Sequence, residues 1–413
     1  MENISHSVIG MAAGLLLQRS FQPEPDAGRQ RTRQRLLVLS CWLASNFPDV
    51  DLLLTHTLPA PLGYLLQHRG YTHTLGYLLP QALLIGGVLL LWPGARRLLR
   101  ESARARWGVL VSVLLGLLLH LSLDALNSYG IHPFYPLTGR WWYGDAVFIV
   151  EPVFWVLFGI PVLLLLTRGF WRVPGVLLLL GVPLYATWHG FLAWPSLVFL
   201  LVCATLMAVL QRRAGEQGRG ALSLAFVLAL VFIGGQSVAG QVAWATVARY
   251  SAQHNGGERI VDIALTPFPT NPLCWNAISL TSDEANGRYR LRQMLVSNAP
   301  AWLHEQAWSC PARLVLQKPV LDTSSGIIVF SSQDYRLAAL RNLQQHNCYF
   351  AAWMRFARLP VLNAREASDL RFEHGPEGNF STLPWADLQT RPCPNGVPPW
   401  GMPRADLLVI LQR

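Results

Sequence analysis

Between Ile4 and Ala248 the chain alternates long apolar runs with short clusters of arginine, and this alternation limits its fold more than any other feature. An apolar run near twenty residues is the length of a membrane-crossing helix, and in hydrocarbon each backbone polar group must be bonded within the protein. The runs are Ile4–Gln18, Leu36–Phe47, Leu75–Trp92, Trp107–Leu126, Ala146–Thr167, Val173–Thr187, Trp194–Leu210 and Ala221 to about Ala248. The reading is a mostly α, polytopic transmembrane helical bundle of seven or eight spans. With 52% hydrophobic and 14% charged residues and a mean hydropathy of +0.30, the 413-residue chain is too apolar for an ordinary soluble enzyme.

Arginine placement orients the bundle. The loops after the first, third, fifth and seventh runs carry fifteen arginines, and the intervening loops carry only Arg69 and Arg140. The excess marks the cytoplasmic side, so the net charge of +10 reads as membrane orientation and not as nucleic-acid binding. From about Arg249 onward the sequence is soluble in character. Short β-prone runs at Arg259–Leu265, Arg313–Leu316, Gly326–Phe330 and Leu407–Leu411 and a helix near Tyr335–Gln345 predict a C-terminal soluble α+β domain. The expected division is 1–165, a transmembrane domain carrying ligand-type residues, 166–248, additional transmembrane helices, and 249–413, the soluble domain. On this topology the soluble domain lies outside. Its four cysteines, Cys274, Cys310, Cys348 and Cys393, suit two disulfides in any of three connectivities.

Against this oily background a set of ionisable residues stands out, because such groups at membrane depth are costly. His120 and Asp124 are four apart and stack on one helix face, as a metal-binding pair or as a buried hydrogen bond. Asp49 and Asp51 follow Pro48 and point the same way only on an extended segment or turn. His68 and His73 flank Gly70 and converge only from a turn. His6, Asp145 and Glu151 lie on the same expected face, whereas His132 and His189 read as ordinary structural residues. Several imidazoles with several carboxylates suit zinc or another divalent transition metal, manganese included, and the number of ligands suggests two or more ions. Arg69 and Arg140 are candidates to neutralise phosphate, and Asp51 to orient or deprotonate a water.

These motifs resemble the YdjM-like, membrane-bound metal-dependent hydrolases of bacteria. The likeness runs through Ser5-His6, Asn46-Phe47-Pro48-Asp49-Val50-Asp51, His68-Arg69-Gly70-Tyr71-Thr72-His73, His120-Leu121-Ser122-Leu123-Asp124, Asn127-Ser128-Tyr129-Gly130, Arg140-Trp141, Asp145 and Glu151-Pro152. It covers roughly the first 165 residues, and Pro267–Pro272 looks like the soluble tail of some members. The family is similar in ligand order to zinc-dependent phospholipase C. That likeness implies ligand roles for His6, Asp51, His73, His120, Asp124 and Glu151.

The expectation is an inner-membrane hydrolase with a periplasmic C-terminal domain. It would use metal-activated water on a phosphoester, or related ester, of a lipid or lipid-linked substrate. The alternative is a non-catalytic membrane protein with a structural metal site, whose C-terminal domain binds a protein partner.

Overall fold

The computed structural model describes residues 1–167, 169–215, 217–254, 256–299, 310, 320–324, 326–372 and 378–409. Helix α1 (Asn3–Ser20) opens on Glu2, whose carboxylate accepts from the Ser5 amide. Helix α2 (Ala27–Asn46) is capped by Asp26 and takes in the arginine-rich stretch that the sequence suggests is a loop. Pro48 then ends α-helical pairing, and Phe47–Thr57 continues as a 3₁₀ helix. After α3 (Leu62–Gln67) and a tight turn come α4 (Leu78–Leu89) and α5 (Pro93–Glu101), with a 108° bend at Pro93. Helix α6 (Ala103–Ala125) carries His120 and Asp124 in its last turns.

Small residues set how closely these helices approach. A Cβ at Gly14 of α1 would lie 2.8 Å from Val38 Cα, and one at Gly116 of α6 would lie 2.6 Å from the Cys41 carbonyl. Helix α2 is therefore gripped between α1 and α6 at near-backbone contact. This packing brings His6, the aspartates after α2 and the end of α6 to one place.

A long loop leads to α7 (Pro152–Leu166), followed by α8 (Arg172–Trp188), α9 (Trp194–Ala214) and α10 (Gly220–His254). The expected fifth helix from Ala146 starts only at Pro152, because the preceding residues form the loop. Among the described residues, five helices are long and apolar enough to cross a membrane, or six if the bent α4–α5 pair is one span. The expected seven or eight is not reached by this count, which covers the described residues. Helix α7, with 15 residues, reaches only about 22 Å and is short for a ~30 Å hydrocarbon core.

The C-terminal part holds an antiparallel sheet of β1 (Arg259–Phe268), β2 (Asn271–Asp283), β3 (Arg288–Ser297), β4 (Asp322–Ser324) and β5 (Ile327–Arg336), in the order β1-β2-β3-β5-β4. Alternation along the strands gives the sheet two apolar faces. Ile263, Trp275, Ala277 and Met294 pack on Ala243 and Val247 of α10. Ala264, Ile278, Leu280 and Leu291 join a second core with Leu62, Leu66, Tyr129 and Trp141 of the membrane domain. Helices α11 (Leu337–His346) and α12 (Cys348–Trp353), the β6 (Pro360–Leu362) and β7 (Ala367–Asp369) hairpin, and α13 (Trp385–Leu388) and α14 (Ala405–Leu408) complete the domain. The Leu407–Leu411 run is not a strand where it is described, since Leu407 and Leu408 end α14. Arg313–Leu316 lies outside the described residues. The cysteines pair as Cys274–Cys310 and Cys348–Cys393.

Candidate metal centre

The turn between α3 and Tyr71–His73 is tight enough to need Arg69 at φ 57°, and it aims both of its histidines at the aspartates after α2. His73 is the hub. Its Nδ1 lies 3.1 Å from Asp51 Oδ2, and its Nε2 lies 3.1 Å from Asp124 Oδ2, 3.4 Å from Asp49 Oδ1 and 3.0 Å from His120 Nε2. Asp49 and Asp51 thus serve opposite edges of one ring, which the 3₁₀ backbone allows. The extended segment expected for them is not what brings them there.

The protons can be placed from the partners. His120 Nδ1 is 2.8 Å from the Ser45 carbonyl, which only accepts, so that nitrogen carries the hydrogen. Thr72 donates its hydroxyl to Asp51 at 2.8 Å, leaving Asp51 and the Thr72 oxygen to accept from His73 Nδ1. Both Nε2 atoms then present lone pairs to each other and to two carboxylates. Such an arrangement repels itself unless a cation or proton stands in the middle.

Asp49, His73, His120 and Asp124 each offer a ligand atom within 4.8 Å of all the others, and Asp49, Asp51 and His68 form a second such group. Asp49 belongs to both, but in the second group His68 Nδ1 and Asp51 Oδ1 already meet each other at 3.0 Å. His6 is fully buried, its ring stacked 3.9 Å from His120, and its Nε2 is 3.3 Å from Asp124 Oδ1. Both His6 nitrogens and Asp124 Oδ2 are buried without a hydrogen bond. These orphaned atoms and this donor set fit a transition-metal ion. Arg69 Nη2 holds Asp124 Oδ1 at 3.1 Å and its Nη1 holds Asn127 at 2.8 Å, and the Met1 amine also contacts Asp124. The cluster meets the surface only at Asp49 and His68, which are 10% and 11% exposed.

Other expected site residues lie elsewhere. Asp145 pairs with Arg358 at 2.8 Å, and Arg358 in turn holds Asp262 of β1 at 2.8 Å, so Asp145 is a clamp between domains. Burial would push the Asp262 carboxyl up, but Arg358 and Arg404 override it and hold it at about 2. Glu151 caps α7 and accepts from Thr270 Oγ1 at 2.7 Å and from its amide at 3.1 Å, and burial pushes its carboxyl up to about 7. Arg140 is exposed and makes no contact with the cluster among the described residues. Asp51 accepts at both oxygens, from His68 Nδ1 at 3.0 Å and from His73 and Thr72, on the edge of His73 away from the four-residue group. His132, read as structural, is buried against Trp141 and Trp400, and burial holds its imidazole down at about 3.

Sequence reasoning passed over several neighbours. Thr72 sits inside the HRGYTH stretch, and Asn127 and Tyr129 lie just after Asp124, so position alone could have raised them. Tyr64 lies tilted beside His68 at 5.1 Å and Phe380 meets Tyr64 at 5.6 Å, but nothing in the sequence marks either one.

Comparison with known proteins finds a family likeness over part of the chain and no activity. The uncharacterized protein YfhP of Bacillus subtilis (strain 168) is 27% identical over 142 residues, covering 34% of this chain and 39% of the relative. The chain thus spans well under half of that protein's length, and no solved structure matches it. Residues 1–195, which hold the whole His/Asp cluster, match the YdjM inner membrane protein family.

Proposed function

We propose that the protein is a metal-dependent hydrolase of the inner membrane, acting on a phosphoester of a lipid or lipid-linked substrate at the outer face. The observation that carries this reading is the facing pair of His73 and His120 Nε2 atoms, flanked by Asp49 and Asp124. When bound there, a divalent cation supplies Lewis-acid chemistry, polarising a phosphoryl oxygen and making water acidic.

The chain's own residues do the rest. Ser45 and Asp51 fix the two imidazoles from behind, as outer partners of metal-ligating histidines do. Asp49, the more open carboxylate of the four-residue group, takes the proton of the attacking water, the role expected of Asp51. Arg69 Nε, Asn127 Nδ2 and the Tyr129 hydroxyl are buried donors without partners beside Asp124, suited to a developing phosphoryl charge. The open edge at Asp49 and His68 adjoins exposed Val50, Leu53 and Tyr64, an apolar approach suited to an amphiphile diffusing in the bilayer. The arginine bias supports a periplasmic soluble domain.

A structural metal site remains the second reading, because His6, His73, His120 and Asp124 are all closed off from solvent. Elemental analysis of detergent-purified protein, with hydrolysis of phospholipids and lipid-linked phosphates by the metal-loaded form, tests the first. Binding of azide to the cobalt-substituted protein separates the two, since a catalytic site keeps an open position and a structural one is closed. Absence of metal from the wild type even after loading with zinc or manganese would sink both.

A further inference from the structure

Helix α2 carries its four N-terminal arginines as two ladders. Arg29 and Arg33 meet protein carboxylates, Glu101 at 2.9 Å and Glu24 at 3.1 Å. Arg31 and Arg35, offset from them by two residues or about 200°, are exposed and meet no carboxylate among the described residues. Arg31 uses only its Nε, on the Ala27 carbonyl at 3.3 Å.

These two arginines line one end of a groove of about 710 Å³ whose walls include Leu39, Trp42, Trp92 and Leu165. Positions 31, 35, 39 and 42 recur at helical spacing, so the groove runs from charge to hydrocarbon along one face of α2. The distance from Arg31 to Trp42 is about 16 Å, close to the ~15 Å depth of one hydrocarbon leaflet. Trp92, close in sequence to Arg96 and Arg97, adds an amphipathic ring of the kind that favours the membrane interface. By contrast, a groove on α9 lined by Val198, Leu201, Val202 and Leu206 is apolar and carries no charge.

We propose that the α2 groove binds one phospholipid with an anionic headgroup, the headgroup against Arg31 and Arg35 and an acyl chain along Leu39 and Trp42. Basic pockets beside membrane helices recognise such headgroups, each arginine contributing roughly 1 kcal/mol. This site is separate from the His/Asp cluster and does not depend on the hydrolase reading.

The test is native mass spectrometry of the full chain, titrated in detergent with phosphatidylglycerol or phosphatidylcholine. One phosphatidylglycerol should be retained per chain in preference to phosphatidylcholine. The Arg31→Gln/Arg35→Gln variant should bind it about 30-fold more weakly. Arg31→Lys/Arg35→Lys should keep most of the affinity, and Arg212→Gln/Arg213→Gln, which removes two arginines elsewhere, should keep all of it. Equal affinity for the two lipids, or undiminished phosphatidylglycerol binding in the double glutamine variant, overturns the proposal. So does an equal loss on removing Arg212 and Arg213, which would assign the binding to overall charge.

Discussion

Asp51 Oδ2 lies 3.1 Å from His73 Nδ1, on the edge of the imidazole that faces away from His120 and Asp124. A carboxylate placed behind a metal-ligating histidine fixes its tautomer and raises its basicity, and its loss costs affinity without removing a ligand. Asp51→Asn should therefore weaken metal binding about 10- to 100-fold and leave the stoichiometry at saturating metal unchanged. Equilibrium titration with a zinc-buffered indicator reads this. An unchanged dissociation constant would show that Asp51 does not act through His73.

Asp124 differs, because its oxygens meet His73, His120, His6 and Arg69 at 3.1 to 3.5 Å. Removing the whole side chain also strands Arg69, which is 2% exposed, and a stranded buried charge costs about 3–5 kcal/mol. Asp124→Asn removes the charge but keeps the shape and an oxygen that accepts from Arg69, which also holds Asn127. It should fold and carry less than a tenth of the wild-type metal, as read by elemental analysis beside a detergent-compatible melting curve. Full metal in a folded Asp124→Asn protein would exclude Asp124 as a ligand.

The cluster was readable in the sequence because its members are expensive. His6, Asp49, His68, His73, His120 and Asp124 lie near or within apolar runs where nothing else explains them, and the structure brings all six together. Asp145 and Glu151 raised the same alarm for another reason. Their partners, Arg358 and Thr270, lie 213 and 119 residues away, and no local pattern announces a contact at that range. The bundle was legible as helices, but the number of spans was not, since apolar runs show composition and not the 108° bend at Pro93 or the late start of α7. The strand at β1 and the helix at α11 followed from local propensity. The grip of α1 and α6 on α2 rests on Gly14 and Gly116, which look like any other glycines in a linear reading.

Arg358 spans Asp145 of the membrane-side loop and Asp262 of β1, with Arg404 also on Asp262 at 3.0 Å. Arg358→Met leaves Asp145 without its arginine and Asp262 with Arg404 alone, a change expected to cost about 3–5 kcal/mol. The linkage sign follows from Asp262. Its folded value of about 2 lies below the ordinary 3.8, so it stabilises the fold above about pH 4 and that contribution is lost as pH falls toward 2. Limited proteolysis of the soluble domain across pH 2 to 6 checks both statements. The wild type should become cleavable at the acid end, and Arg358→Met should be cleavable throughout.

Trp400 closes the turn that carries His68 and His73. Its indole donates to the Leu66 carbonyl at 2.7 Å, and its ring lies 4.9 Å from Tyr71 and 4.1 Å from His132. Trp400→Ala opens a cavity against α3 and should cost about 3–5 kcal/mol. It should also weaken metal binding, because the turn that aims the two histidines loses its packing partner. His132 adds a pH signature: its folded value of about 3 lies below the ordinary 6.5, so its contribution is present above pH 6.5 and is lost as pH falls from there toward 3. In Trp400→Ala water reaches the ring, and the difference between the two values should shrink. Melting temperatures of wild type and variant should therefore converge between pH 7 and pH 4. A gap that stays constant over that range would show that His132 titrates normally beneath Trp400.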